Sequence, residues 1–577
     1  MGFMQQYESW LNNPLFDEET RNELAAIKDN EKEIEERFYK DLEFGTGGLR
    51  GIMGAGTNRM NIYTVGRATQ GLANFLKTEK PQKALQVVIA YDSRNNSPLF
   101  AKRAGLVMAA NGIKAYVFSS LRPTPELSFA VRRLGCDAGI VVTASHNPPE
   151  YNGYKVYGDD GGQVPYPKDG QIIEKVNEIT DFAAIKTMSE AEAKAAGLYE
   201  EIDEAIDDAY IETLKGISLN PALAKEMGKE LKLVYTPLHG TGNVPVRRIL
   251  AEMGYEHVFV VPQQEAPDGN FTTVGYPNPE DPNVFALGLA IAKKENADVI
   301  VATDPDADRV GVMVKDETGE YVVLTGNMTG ALLAEYVLSQ RKAAGKLPEH
   351  GALVKTIVST DMVRPIAEAY GVTVFDVLTG FKYIGEKIKQ FEQTGAYTYL
   401  FGFEESYGSL AGTYARDKDA VGATMLIAEM TAYYKKQGMT LYQGLLHLYE
   451  TYGYYQEGVK SVTLKGMEGA QKIQAMMEDL RQNPPTSFAG QDVVWCRDYT
   501  KKEFQNLQTG QKEENLLPPS NVLRYTLSNG DWVCVRPSGT EPKIKIYYGV
   551  KGTSLAEAKA LSQTLEQAVC ARMGVEA

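Results

Sequence analysis

The sequence predicts an α/β protein: three similar mixed α/β domains of repeated β-α-β units, then a smaller C-terminal α+β domain. Three observations carry this expectation. At 577 residues the chain is too long for one hydrophobic core, since single cores stop growing near about 250–300 residues. Apolar runs of strand length alternate with helix-period segments in the same pattern three times over. After about residue 455 the pattern changes to amphipathic strands joined by a hairpin turn.

The first copy runs from "LQVVIAYDSR" through helix-like "PLFAKRAGLVMAANG" to "KAYVFSS", then through "ELSFAVRRLG" to "AGIVVTASHNP". The second has "LKLVYTPLHG", "VPVRRILAEMG", "HVFVVPQQ" and "ADVIVATDPDADR". The third has "ALVKTIVSTDM", "VRPIAEAYG", "VTVFDVL", "FKYIGEKIKQ" and "AYTYLFGFEESYG". Such alternation marks parallel layers with helices on both faces of each sheet. The expected boundaries are 1–215, 216–326, 327–455 and 456–577. In the last region Asn529-Gly530 supplies the φ-tolerant pair of a hairpin turn. Low-complexity linkers are absent, so closely packed domains are expected.

Composition narrows the function classes. The net charge of −15 argues against a nucleic-acid or anionic-membrane surface. An anionic substrate would need basic residues gathered locally. Four scattered cysteines without a CxxC spacing read as reduced thiols. The N-terminus lacks an apolar signal core, Gln6 fails the myristoylation pattern, and no apolar run reaches membrane length. A cytoplasmic location is therefore expected, and the oligomeric state stays open.

Each third strand runs into a polar loop, "TASHNP", "DPDADR" or "GFEESYG". Ligands of open α/β sheets bind beyond the carboxyl ends of the strands, so three such loops can meet at one cleft. Asp304, Asp306 and Asp308 stand at alternate positions and repel one another unless a cation intervenes; hard oxygen donors suit Mg²⁺. An EF-hand is excluded, because Arg309 and Lys315 occupy its Gly and Glu positions. A solvated acidic turn is the plain alternative. "RPSGTEPK" brings together Arg536, Ser538, Gly539, Thr540 and Lys543, the donors a phosphate monoester calls for; a simple hairpin connection is the plain alternative. "EFGTGGLRG" ends in Arg50 but lacks the GK[ST] of a P-loop, and reads equally as a structural turn or an anion contact. Glu404, Glu405 and Ser406 suit sugar hydroxyls or solvent. Adjacent carboxylates rarely flank a scissile glycosidic bond, which disfavours a glycosidase. His239 in "TPLHGTGN" reads as structural, since the chain has no GxSxG elbow. His257, His350 and His447 are isolated. The Ser145-His146 neighbours alone are a weak signal.

Together, "TASHNP", "DPDADR", "GFEES" and "RPSGTEPK", in that order over the whole chain, resemble the α-D-phosphohexomutase superfamily, nearest its phosphoglucomutase branch. The resemblance implies four domains around a central cleft. It implies that Ser145 is phosphorylated and acts as phosphoryl donor, not as a hydrolase nucleophile. Asp304, Asp306 and Asp308, with a phosphate oxygen on Ser145, would hold one Mg²⁺ per chain, and Arg309 would touch the phosphoserine. Lys155 matches the general acid/base, a role that asks for a pKa lowered by cations or desolvation. His146 becomes a phosphate or substrate contact, and Arg50 an arginine near the active site. Glu404 and Ser406 would bind sugar hydroxyls; Arg536, Ser538, Gly539 and Thr540 would grip the distal phosphate. Some members carry a His in the "TG" loop where this chain reads "LTGFKYIG", which makes Lys382 the nearest candidate for that role. The implied activity is that of an isomerase interconverting glucose 1-phosphate and glucose 6-phosphate through glucose 1,6-bisphosphate. Its partners would be small sugar phosphates, without nucleic acid or membrane. The intermediate must turn end for end, which favours a mobile fourth domain. A phosphopentomutase is the alternative, since relatives with this sugar loop include pentose-phosphate mutases. A non-catalytic sugar-phosphate sensor is a reading from another class. Phosphomannomutase and phosphoglucosamine mutase fit less well, because their sugar loops usually differ after the first Glu.

Overall fold

The apolar runs fold as strands and the helix-period segments as the helices between them. A computed structural model describes residues 2–45, 47–464, 466–538 and 543–576. Three N-terminal helices, α1 (Phe3–Asn12), α2 (Glu18–Ala26) and α3 (Glu31–Phe38), come first. They bury Tyr7, Trp10, Phe16, Leu24 and Phe38 in a core of their own.

The first sheet holds β1 (Gly48–Ile52), β2 (Gln86–Tyr91), β3 (Lys114–Phe118), β4 (Ala138–Val142), β5 (Tyr151–Gly158) and β6 (Tyr199–Ile202), in the order β1-β5-β4-β2-β3-β6. β2 is parallel to β3 and β4, whereas β5 runs antiparallel to β4 and β1. Every residue of β4 is buried, as expected of a strand whose sheet has both faces covered. Helices α4 (Ile62–Glu79), α5 (Ser97–Ala110) and α6 (Thr124–Leu134) connect these strands. Asn61 caps α4 through the backbone N–H groups of Tyr63 and Thr64; Gly135 ends α6 in the left-handed region.

The second sheet repeats the design. Its strands β7 (Lys232–Thr236), β8 (His257–Val260), β9 (Val299–Thr303), β10 (Val310–Lys315) and β11 (Tyr321–Leu324) lie in the order β11-β10-β9-β7-β8. Thus β8-β7-β9-β10 matches β3-β2-β4-β5 in order and sense, with a final antiparallel strand in each. The third copy supplies β12 (Gly351–Thr356), β13 (Thr373–Val377), β14 (Thr398–Glu404) and β15 (Gly408–Ala411), with β12 and β13 parallel like β7 and β8.

The chain divides into two compact units: Met1–Thr325 with Phe381–Phe401 and Ser406–Leu441, and Gly326–Gly380 with Gly402–Glu405 and Tyr442–Ala577. Much of the third copy therefore belongs to the first unit, where specific bonds hold it. Tyr157 donates its hydroxyl to Asp417 at 2.7 Å, Ser128 Oγ accepts from the Arg416 N–H at 2.8 Å, and Tyr210 donates to Asp419 at 2.8 Å.

In the second unit the C-terminal region forms an antiparallel sheet. Its strands are β16 (Tyr454–Thr463), β17 (Ser487–Phe488), β18 (Gln491–Asp498), β19 (Glu503–Asn506), β20 (Lys512–Glu514), β21 (Leu523–Leu527), β22 (Trp532–Pro537) and β23 (Lys543–Gly552). The order is β16-β23-β22-β21-β18-β19-β20, with β17 beside β18. The β21–β22 hairpin turns where Asn529-Gly530 predicts it, with Gly530 at φ 90°. Met477, Leu480, Leu565 and Val569 from two helices bury its inner face with Val533 and Ile546. The four cysteines are unpaired. Among the described residues, no helix is long and apolar enough to cross a membrane.

Candidate active site

One residue gathers several carbonyls of the loop after β4. Arg94 follows β2 and is 1% exposed. Its guanidinium donates to the carbonyls of Ser145 (2.6 Å), Pro148 (2.8 Å) and Tyr151 (3.1 Å), and to that of Asn147. Asp92 faces its Nε at 3.3 Å, while Thr143 Oγ1 and Ser97 Oγ donate to the same carboxylate. The Phe271 ring lies 5.0 Å from the guanidinium carbon. Within this frame Ser145 adopts φ 51°, an uncommon conformation for a non-glycine residue, which well-determined functional loops tolerate. Asp92 and Arg94 were not singled out from sequence. The signal available was their place, directly after a buried strand at the carboxyl edge of a sheet.

Asp304, Asp306 and Asp308 are at most 2% exposed. Each offers a carboxylate oxygen within 4.8 Å of the others. Ser145 Oγ donates to Asp304 Oδ2 at 2.7 Å, which joins the serine loop of the first repeat to the acidic loop of the second. Asp304 Oδ1 accepts from the N–H groups of Asp308 and Arg309 (3.1 and 3.0 Å), bonds that shape the loop with Ala307 at φ 51°. Asp306 Oδ2 accepts from Thr124 Oγ1 and Lys155 Nζ, each at 2.9 Å. Asp308 Oδ2 faces Lys418 Nζ at 3.1 Å and Lys155 Nζ at 3.5 Å. The Oδ1 atoms of Asp306 and Asp308 are buried without a hydrogen-bond partner. Burial, then the Asp306 and Asp308 charges, push the Asp304 carboxyl well above the usual carboxylate range. Crowded, buried carboxylates with unsatisfied hard oxygens can hold a divalent cation, and the residues present fit one.

Around this centre the predicted residues take definite places. Lys155, on β5, reaches two of the three aspartates, but its expected pKa direction is overturned. Burial favours the neutral amine, yet the Asp306 and Asp308 carboxylates outweigh it and raise the pKa above the ordinary lysine value. His146 Nδ1 lies 3.1 Å from Ser145 Oγ. Burial first, then the Arg309 and Arg50 charges, hold the imidazole well below its usual pKa. Since the Ser145 proton goes to Asp304, the geometry fits donation from His146 Nδ1. Arg50, on β1, donates to Asn147 Oδ1 at 3.4 Å. Arg309 pairs with Glu280 at 2.8 Å. Lys382 lies 3.6 Å from Asp169, where burial lowers its pKa.

Three partners escaped the sequence reading. Lys418 neutralises Asp308, Asp417 holds Lys418 (3.2 Å) and Tyr157 together, and Thr124 meets Asp306. In "GTYARDKDA" the charges look like any solvated turn, and "RPTPE" looks like a helix start. His239 is structural, as expected: Nδ1 lies 2.9 Å from the Ala266 carbonyl and Nε2 2.8 Å from Thr273 Oγ1.

In the second unit, Glu404 Oε1 accepts from the Gly380 N–H at 2.9 Å. Glu405 Oε2 accepts from Thr356 Oγ1 (2.9 Å) and Ser359 Oγ (3.3 Å). Tyr547, its pKa raised chiefly by burial, also feels Glu405 and Arg536, so these two residues share one neighbourhood of this unit. The Ser538 N–H donates to the Lys543 carbonyl at 2.7 Å. Gly539 and Thr540 lie outside the described residues. Ser406 falls in the first unit.

Comparison with known proteins follows this architecture segment by segment. Family descriptions for phosphoglucomutase/phosphomannomutase match as alpha/beta/alpha domain I over residues 41–182, domain II over 208–319, domain III over 325–452 and the C-terminal domain over 470–567. The phosphoglucomutase of Staphylococcus haemolyticus is 36% identical over 513 residues, covering 89% of this chain and 91% of that one. That of Staphylococcus aureus (strain USA300) is 35% identical over 525 residues, covering 91% and 92%. A crystal structure of pp63/parafusin, a phosphoglucomutase from Paramecium in an open form, superposes with a TM-score of 0.67 at 17% identity, covering 93% of this chain and 96% of that chain. With four domain matches in sequence and relatives aligned over nine-tenths of its length, the chain belongs to the phosphoglucomutase/phosphomannomutase family.

Proposed function

We propose that this enzyme interconverts glucose 1-phosphate and glucose 6-phosphate through a phosphoserine at residue 145 and a glucose 1,6-bisphosphate intermediate, in the cytoplasm. The observation that carries the reading is Ser145 Oγ, 2.7 Å from Asp304, in a framed loop beside a buried triad with two unsatisfied oxygens. Asp304, Asp306 and Asp308 would hold Mg²⁺, which when bound neutralises phosphoryl charge.

Phosphoryl transfer asks chiefly for positioning and charge compensation. Arg94 fixes the loop carbonyls so that Oγ is presented in one place. Transfer breaks the P–Oγ bond and forms a P–O bond to a sugar hydroxyl, whose proton leaves as the bond forms. As an amine Lys155 would take that proton, and as the ammonium that its carboxylate neighbours favour it would return it to the sugar oxygen when the phosphoryl group goes back to Oγ. His146, with Nδ1 3.1 Å from Oγ, would donate to Oγ or its phosphate. Arg50 contributes positive charge at the mouth of the loop. Arg536 and Ser538, with Gly539 and Thr540, would bind the phosphate that does not react, while Glu404 and Ser406 would take the sugar hydroxyls.

Ser145→Ala is expected to abolish turnover and, by intact mass, phosphorylation together. Full mutase activity in that variant would end the reading. Comparing kcat/KM for glucose 1-phosphate and ribose 1-phosphate sets the substrate class, with glucose 1-phosphate expected to be preferred.

A further inference from the structure

We infer that Thr124 is a positioning residue for the metal carboxylates, clamping Asp306 so that its Oδ1 stays turned toward a divalent cation. The inference deepens the reading above and rests on it. Thr124 is the first residue of α6 and is 0% exposed. Its N–H donates to the Asp306 carbonyl and its Oγ1 to Asp306 Oδ2, both at 2.9 Å. One residue of the first repeat therefore grips both the backbone and the side chain of a residue in the second.

A carboxylate turns readily about its last torsion, where the preference is broad and two-fold. Asp306 is stopped from turning because Oδ2 receives two donors, while Oδ1 is buried with none. The two donors differ in stiffness. Lys155 reaches in on a flexible four-carbon stem and is needed for proton exchange. Thr124 is β-branched and stands between Pro123 and Pro125, whose rings fix φ on either side. The threonine is thus the rigid member of the pair and the lysine the working one. With the hydroxyl removed, Asp306 keeps its charge and its lysine but loses the contact that sets the plane of the carboxylate.

The test compares Thr124→Val, which deletes the hydroxyl and keeps the shape, with Thr124→Ser, which keeps the hydroxyl and deletes the methyl. Mn²⁺ alone is titrated into each full-length protein and read by electron paramagnetic resonance. In parallel, Tm is recorded in EDTA and in Mn²⁺. Loss of an outer-shell partner typically weakens metal binding about 10–100-fold, so Thr124→Val is expected to raise the Mn²⁺ Kd at least about 10-fold and to shrink the Mn²⁺-dependent rise in Tm. Thr124→Ser is expected to stay within about 2-fold of wild type. If Thr124→Val does not fold, the Thr124→Ala and Thr124→Ser pair reads the same difference. Wild-type affinity in the valine variant, or equal weakening in valine and serine variants, overturns the proposal. A wild-type protein that binds no Mn²⁺ overturns the metal reading itself, a separate result.

Discussion

Arg94 shows how much one side chain can fix. It donates to the carbonyls of Ser145, Asn147, Pro148 and Tyr151 while facing the buried Asp92. The buried Ser145 carbonyl would otherwise face away from water, with a desolvation penalty of its own. Arg94→Met strands Asp92 in the interior, and removing one partner of a buried pair costs about 3–5 kcal/mol. Urea unfolding is expected to show a loss of that size; a midpoint unchanged from wild type would refute it. Arg94→Lys restores the charge but not the planar fork, so it should recover part of the stability while phosphoenzyme formation stays slow.

Among the elements, the turn after β7 bears on the aspartate loop. Gly240 lies so near Pro305 that a Cβ there would sit 2.5 Å from its Cα and 2.8 Å from its carbonyl oxygen. Thr241 donates its N–H to that same carbonyl at 2.8 Å. Both obstacles are backbone, so they cannot swing aside. Gly240→Ala is expected to cost about 1–3 kcal/mol and to weaken Mn²⁺ binding, because relief of the clash must move residue 305, between two of the aspartates. A variant with full stability and unchanged Mn²⁺ affinity would show that the loop yields freely.

The strands and their terminal loops were legible in sequence for a physical reason: buried parallel strands read as continuous apolar runs, and their carboxyl ends carry the chemistry. Thus the aspartate triad, Ser145 and the "SNGDWV" hairpin stand where the pattern puts them. Arg94, Thr124 and Lys418 were not legible, because their meaning lies in partners 51 to 182 positions away, or in another repeat. Helices α1–α3 escaped the repeat reading because they belong to no copy of it. The pKa direction of Lys155 was missed because the approach of two carboxylates to one amine is a matter of three dimensions.

At the scale of the whole chain, stability should depend on pH through a group far from the triad in sequence. Glu457 on β16 has its carboxyl pushed up from 4.5 to about 7, chiefly by burial, with Asp361 adding and Thr360 and Lys355 opposing. The folded state thus keeps a proton that the unfolded chain releases, so stability falls as pH rises between the two values and levels off above them. Glu457→Gln removes that loss. The gain in Tm over wild type should be small at pH 5 and larger at pH 8 by scanning calorimetry. A gain independent of pH would mean that Glu457 does not titrate in this window.

The matched strand orders of the first two sheets, β3-β2-β4-β5 and β8-β7-β9-β10, decide where the two halves of the centre stand. Ser145 and Asp304 stand at corresponding points, just past the third strand of each copy, and the two meet at 2.7 Å. The first sheet supplies the hydroxyl and the second supplies the acidic residues. The centre is a seam between two copies of one design, and neither copy by itself holds both halves of it.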